Sequence, residues 1–159
     1  MISVLNPFLV FNLILFISFS ISVNTFVEIE NINIIFYIFF HTALIYFLFY
    51  HYHFSIFFIA FFYGIFFDVL LINSIGSHLV CFLILISAYI FLKKYLFLLS
   101  SNQISITIFI TLNLTILFEI LFAFLFNNHY FNINQLLKYF FVSLIIFIPT
   151  IFVLNKLDK

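Results

Sequence analysis

Two carboxylates interrupt otherwise apolar runs: Asp68 in "FFYGIFFDVLLINSIGSHLV", residues 61–80, and Glu119 in "ITLNLTILFEILFAFLF", residues 110–126. The only two glycines of the chain, Gly64 and Gly76, flank Asp68. A carboxylate deep in hydrocarbon raises the free energy by about 2.5–3.5 kcal/mol on insertion scales, so each is a functional hypothesis by default. Three chemistries are open to the pair. They could form a proton or cation pathway, although no intramembrane Lys, Arg or acidic ladder continues one. They could tie helices together or accept a polar group from another membrane protein. Asp68, near the end of its run, could also simply reach headgroup water. The tie, or partner-binding, reading is favoured.

The glycines sharpen it. Gly64 precedes Asp68 by one helical turn and shares its face, where a residue without a side chain permits close helix approach. Gly76, with Asn73, suits a tight turn, and the Ser77 hydroxyl suits a cap for the helix that follows. The expected result is a helical hairpin with Asp68 near its tip. His41 and His78 have proton or metal chemistry available, but neither has a ligand partner at metal-binding spacing. His51 and His53 diverge on a helix and read as an interfacial cap. Cys81 is the single cysteine and reads as a small apolar side chain. No nucleophile–base set or phosphate-cradling glycine loop is visible, so neither an enzyme nor a cofactor or metal site is expected.

The elements that must carry these residues follow from composition. Hydrophobic residues make up 67% of the 159, charged residues 6%, and mean hydropathy is +1.38. A soluble surface needs roughly 25% charge, so the chain reads as an integral membrane protein. Five Lys, no Arg and zero net charge leave no electrostatic footprint for nucleic acid.

Apolar segments at 7–23, 34–50, 54–72, 78–92, 104–126 and 138–154 are separated by polar clusters. Each approaches the ~20 residues needed to cross ~30 Å of hydrocarbon. The runs are continuous and lack the alternation of barrel strands, so helices are expected. The fold class is therefore all-α: one polytopic transmembrane domain over residues 1–159, a six-helix bundle. A five-span arrangement, with the first segment lying in the interface, is the alternative. The first segment lacks a basic leader and an A-x-A site, and reads as an uncleaved helix. Lys93, Lys94, Lys156 and Lys159 fall on one side, with Glu28 and Glu30 opposite, which places both termini in the cytoplasm. Lys138, at the other side, can snorkel to the interface. Counted from the outer ends of their spans, Asp68 and Glu119 lie roughly 6 and 10 Å deep.

On these residues the chain resembles the rod-shape-determining MreD family. The carriers are "YGIFFDVLLINSIGSHLVCFLILISAYIF", residues 63–91, with Gly64, Asp68 and Gly76 in a G-x-x-x-D-x7-G pattern. The basic pair after that helix, Glu119 in the fifth span, and "IPTIFVLNKLDK" with Pro149 are similar too. The resemblance implies a non-enzymatic inner-membrane component of the bacterial elongation machinery. Its partner would be an MreC-like membrane protein and, indirectly, MreB filaments and RodA with its penicillin-binding transpeptidase. Gly64, Asp68, Gly76, Glu119 and Pro149 would be its structural or partner-binding residues. The family's six-helix architecture is thought to be shared with substrate-binding components of vitamin transporters, which supplies an alternative function: a small-molecule-binding membrane subunit. The absence of Trp and Arg and the short outer loops weigh against that pocket.

Overall fold

A backbone in hydrocarbon must satisfy its own hydrogen bonds, and a helix does so within one segment. A computed structural model describes residues 7–23, 30–72, 76–96, 98–127 and 133–157, and among them are helices joined by turns, bends and short irregular stretches, with no strand. The helices are α1 (Pro7–Ser22), α2 (Glu30–Tyr50), α3 (Ser55–Phe67), α4 (Ser77–Leu96), α5 (Ser101–Asn127) and α6 (Ile133–Leu157). A π-helical turn, Asp68–Ile72, continues α3. Four helices, α2, α4, α5 and α6, are long and apolar enough to cross a membrane; α1 and α3 are apolar but shorter. Asn73, Glu28 and Lys159, which entered the turn and orientation expectations, lie outside the described residues.

Helix α2 is the hub. It packs against α1, α6, α5 and α4, while α3 packs against α4. Residues 40–48 of α2 are all buried, the signature of a helix enclosed on every side. Rings fill the centre: Phe19 of α1 meets Tyr63 and Phe67 of α3 at 5.1 and 4.8 Å, and Phe11 stacks on Phe47 at 3.8 Å. Hydroxyls along the helices are satisfied by carbonyls one turn back, as Thr42 to Ile38 and Thr115 to Thr111 show. Polar ties also cross between helices. Tyr46 donates to Asn155 Oδ1 across α2 and α6, and Ser143 donates to Asn113 Oδ1 across α6 and α5, both at 2.9 Å.

Gly64 sets the spacing of α3 and α4. A Cβ built there would lie 2.8 Å from the Cα of Leu79, and a backbone atom cannot rotate out of the way. Gly64→Ala is therefore expected to push α4 outward and destabilise the fold by about 1–3 kcal/mol, the usual range for overpacking. Gly64→Leu should do so by more. Thermal unfolding of the purified protein in detergent micelles measures both; a Gly64→Leu variant as stable as the parent would contradict the close approach.

Pro149 lies inside α6 on its exposed side. It removes one N–H from the helix ladder, which permits a bend there. It takes no part in the polar centre described next.

Candidate functional site

The end of α3 and the start of α4 meet at Asp68. Gly76, with φ of 153°, adopts a backbone conformation that residues with a Cβ rarely reach. From there α4 begins, with the Val80 N–H bonding to the Gly76 carbonyl at 2.9 Å. The first turn of any helix leaves its N–H groups without internal partners, and here a carboxylate from the preceding helix takes them. Asp68 Oδ2 accepts from Gly76 N–H at 2.7 Å and Leu79 N–H at 3.2 Å; Oδ1 accepts from His78 N–H at 2.8 Å. Negative charge at a helix N-terminus is also favoured by the helix dipole. Asp68, eight residues before Gly76, thus caps the first turn of α4, a partner that the sequence reading did not anticipate.

From Asp68 a chain of hydrogen bonds runs through the bundle. His78 Nδ1 meets Asp68 Oδ1 at 2.9 Å, and His78 Nε2 meets the Tyr37 hydroxyl of α2 at 3.1 Å. The Tyr37 hydroxyl donates to Glu119 Oε2 of α5 at 2.5 Å. Glu119 Oε1 meets His41 Nε2 at 2.8 Å, and His41 Nδ1 closes on the Tyr37 carbonyl at 2.8 Å. Exposure is 0% for Asp68, 5% for His78, 3% for Glu119 and 1% for His41. One polar thread thus joins α2, α4, α5 and the tip of α3.

Aromatic rings seal the thread. Phe67, fully buried, stacks on His78 with centroids 5.4 Å apart and lies 5.9 Å from the His41 ring. Phe82 and Phe40 stand 5.3 and 5.6 Å from His41. A buried polar group without a partner is costly in such surroundings, which explains why each network atom has one. Cys81, on the same helix as His78, is buried and directs its thiol at the Thr115 carbonyl at 3.8 Å.

The structure therefore brings Asp68 and Glu119 into one network, with Gly64 and Gly76 shaping its α3–α4 end, and leaves Pro149 apart. It also adds three residues to those proposed from sequence: Tyr37, His41 and His78. The histidines were weighed singly, for proton or metal chemistry, and not as partners of Asp68 and Glu119; no set of three His, Cys, Asp or Glu suited to a metal forms among the described residues. Tyr37 and His41 carried a usable signal, since i,i+4 positions put both polar side chains on one face of α2. Outside the network, a lateral groove of about 330 Å³ lies between α5 and α6, lined by residues including Phe109, Leu117, Leu136 and Phe140.

Comparison with protein-family models, with curated proteins and with solved structures gives no match to this chain.

Proposed function

We propose that the chain is a non-enzymatic, multi-pass component of the bacterial cytoplasmic membrane that acts in cell elongation, as the MreD resemblance implies. The observation that supports this reading is the closure of the Gly64, Asp68 and Gly76 pattern into one unit. Gly64 admits the α4 backbone, Asp68 caps α4, and Gly76 supplies the turn conformation between them. A loose sequence pattern becomes specific when each of its residues has a distinct mechanical task in the same joint.

The arrangement fits a scaffold. Asp68 and Glu119 are engaged within the chain, so a partner would meet helix surfaces and not these carboxylates. Helix α6 offers such a surface, with Ile145, Ile148 and Phe152 exposed by 74, 73 and 70% along one side. All six helices would span or enter the bilayer, with both termini cytoplasmic by the distribution of lysines. The partner would be an MreC-like membrane protein, and through it the MreB filament and the pair of RodA with its penicillin-binding transpeptidase.

Depletion of the chain in its rod-shaped host is expected to give round cells, and the tagged chain to co-purify with the MreC-like protein. Gly64→Leu should fail to restore rods. Rods of normal width after full depletion, with no co-purification from wild-type membranes, would overturn the proposal.

A further inference from the structure

Five hydrogen bonds link the buried thread: Asp68–His78, His78–Tyr37, Tyr37–Glu119, Glu119–His41 and His41 to the Tyr37 carbonyl. Each needs one proton between its two heavy atoms. With none, two lone pairs face each other; with two, proton faces proton. Stripped of their shared protons, two imidazoles, one phenol and two carboxylates carry five negative charges. Five shared protons bring the total to zero. The thread is thus fully bonded only when its net charge is zero, wherever along each bond the protons lie.

The end at His41 is fixed, because the Tyr37 carbonyl can only accept and His41 Nδ1 must carry its proton. The bonds that follow can each be written in two directions. With the Glu119–His41 proton on His41 and Tyr37 donating to Glu119, His78 must donate from Nε2 and is an imidazolium beside the Asp68 carboxylate. If the proton of the His78–Tyr37 bond moves to Tyr37, Tyr37 must pass its own to Glu119. His78 becomes neutral and Glu119 a carboxylic acid. One proton has left the His78–Asp68 end, one has reached Glu119, and the total is unchanged. With that proton on Glu119 Oε2, His41 must keep the proton of the Glu119–His41 bond, and His41 can be neutral only while Tyr37 donates to Glu119; the single Tyr37 proton therefore couples the two ends.

We propose that Asp68, His78, Tyr37, Glu119 and His41 form a proton-binding site in which the protonation of His78 and His41 is linked through the Tyr37 hydroxyl. The inference does not depend on a role in cell elongation. The site is not a conduit across the bundle, since one end closes on the Tyr37 carbonyl among Phe40, Phe67 and Phe82. Its other end is the α3–α4 turn, where the Asp68 bonds to Gly76 and Leu79 are only partly buried. A sixth proton has no vacant bond to occupy, and the Asp68 oxygen at that turn is the acceptor nearest the surface. Uptake there displaces N–H donors from Asp68 and releases the first turn of α4.

The elements around the site contribute few rivals. Helix α1 presents Phe19 and α3 presents Phe67. Helix α4 adds the Cys81 thiol, and α6 adds Tyr139, whose ring lies 5.6 Å from Tyr37. Thiols and phenols ordinarily hold their protons through the acidic range. The two histidines, with a carboxylate on each, are therefore the groups whose protons report on the thread.

The test is a titration of the full-length, histidine-15N-labelled protein in detergent micelles, followed by nitrogen NMR. His51 and His53, exposed at the far end of α2, serve as internal references. The His41 and His78 signals are expected to move through the same steps, as coupled sites do. In Tyr37→Phe they should separate into independent steps with midpoints about one pH unit or more apart. In Glu119→Gln the amide NH₂ can only donate to His41 Nε2, so His41 should stay neutral and stop titrating while the fold is kept. Independent steps in the parent, or signals constant from about pH 5 to 8, would overturn the proposal. Coupled steps persisting in Tyr37→Phe, or a titrating His41 in Glu119→Gln, would do so as well. The parent and the Glu119→Gln measurements decide the matter even if Tyr37→Phe does not fold.

Discussion

Replacing Asp68 by alanine is expected to destabilise the fold by about 3 kcal/mol, and replacing it by asparagine should be nearly as harmful. Removing one partner of a buried ion pair typically destabilises by about 3–5 kcal/mol, because the remaining groups are left without compensation. The lower end applies at Asp68, since its bonds to Gly76 and Leu79 are partly buried and water can take over there. The asparagine result follows from donor counting. Gly76, His78 and Leu79 each present a backbone N–H, and His78 adds Nδ1. A carboxylate can accept on both oxygens. An asparagine must turn its NH₂ toward at least one of these backbone donors, so donor meets donor. Unfolding in micelles, by heat or by denaturing detergent, measures the loss. An Asp68→Asn variant within about 0.5 kcal/mol of the parent, the spread of unremarkable surface changes, would show that the four-donor cradle contributes little.

This joint shows which parts of the structure local sequence carries. The helices were legible because the apolar runs are continuous and lack strand alternation, and every apolar run contains a helix. Their ends were less so: α2 begins at Glu30 and α6 at Ile133, inside polar stretches. Apolar boundaries mark where hydrocarbon ends, whereas a helix continues until its backbone is capped or broken. Asp68, Glu119 and Gly64 stood out by type and spacing. The role of Asp68 as a cap of α4 did not, because its N–H partners lie eight to eleven residues away, beyond the reach of local capping patterns. Tyr37 is one of nine tyrosines in the chain, and nothing near it in sequence points to Glu119. Only the crossing of α2, α4 and α5 brings those side chains together, and that crossing is set by packing over the whole bundle.

Glu119→Ala is expected to be the most damaging single change, destabilising by about 4–5 kcal/mol, at the upper end of the range for a broken buried pair. Both partners of Glu119 are enclosed: Tyr37 and His41 bond to it in the buried interior, and Phe40, Phe67 and Phe82 surround His41. Alanine leaves the Tyr37 hydroxyl and His41 Nε2 facing a void lined by rings, whereas the Asp68 bonds to Gly76 and Leu79 are partly buried. Glu119→Gln should behave differently from Asp68→Asn, although both replace a carboxylate by its amide. The partners of Glu119 are a phenol and an imidazole nitrogen, each able to donate or accept. The amide can receive the Tyr37 proton on its oxygen and donate to a neutral His41, and the bonds to Tyr37 and His78 persist in one fixed direction. Glutamine is therefore expected to hold stability within about 1 kcal/mol of the parent, the net contribution of one ordinary hydrogen bond. Equilibrium unfolding of the four variants in the same micelles would check the pattern. Glu119→Gln losing as much as Glu119→Ala would mean that Glu119 must be charged in the folded bundle, and that its bonds cannot reverse.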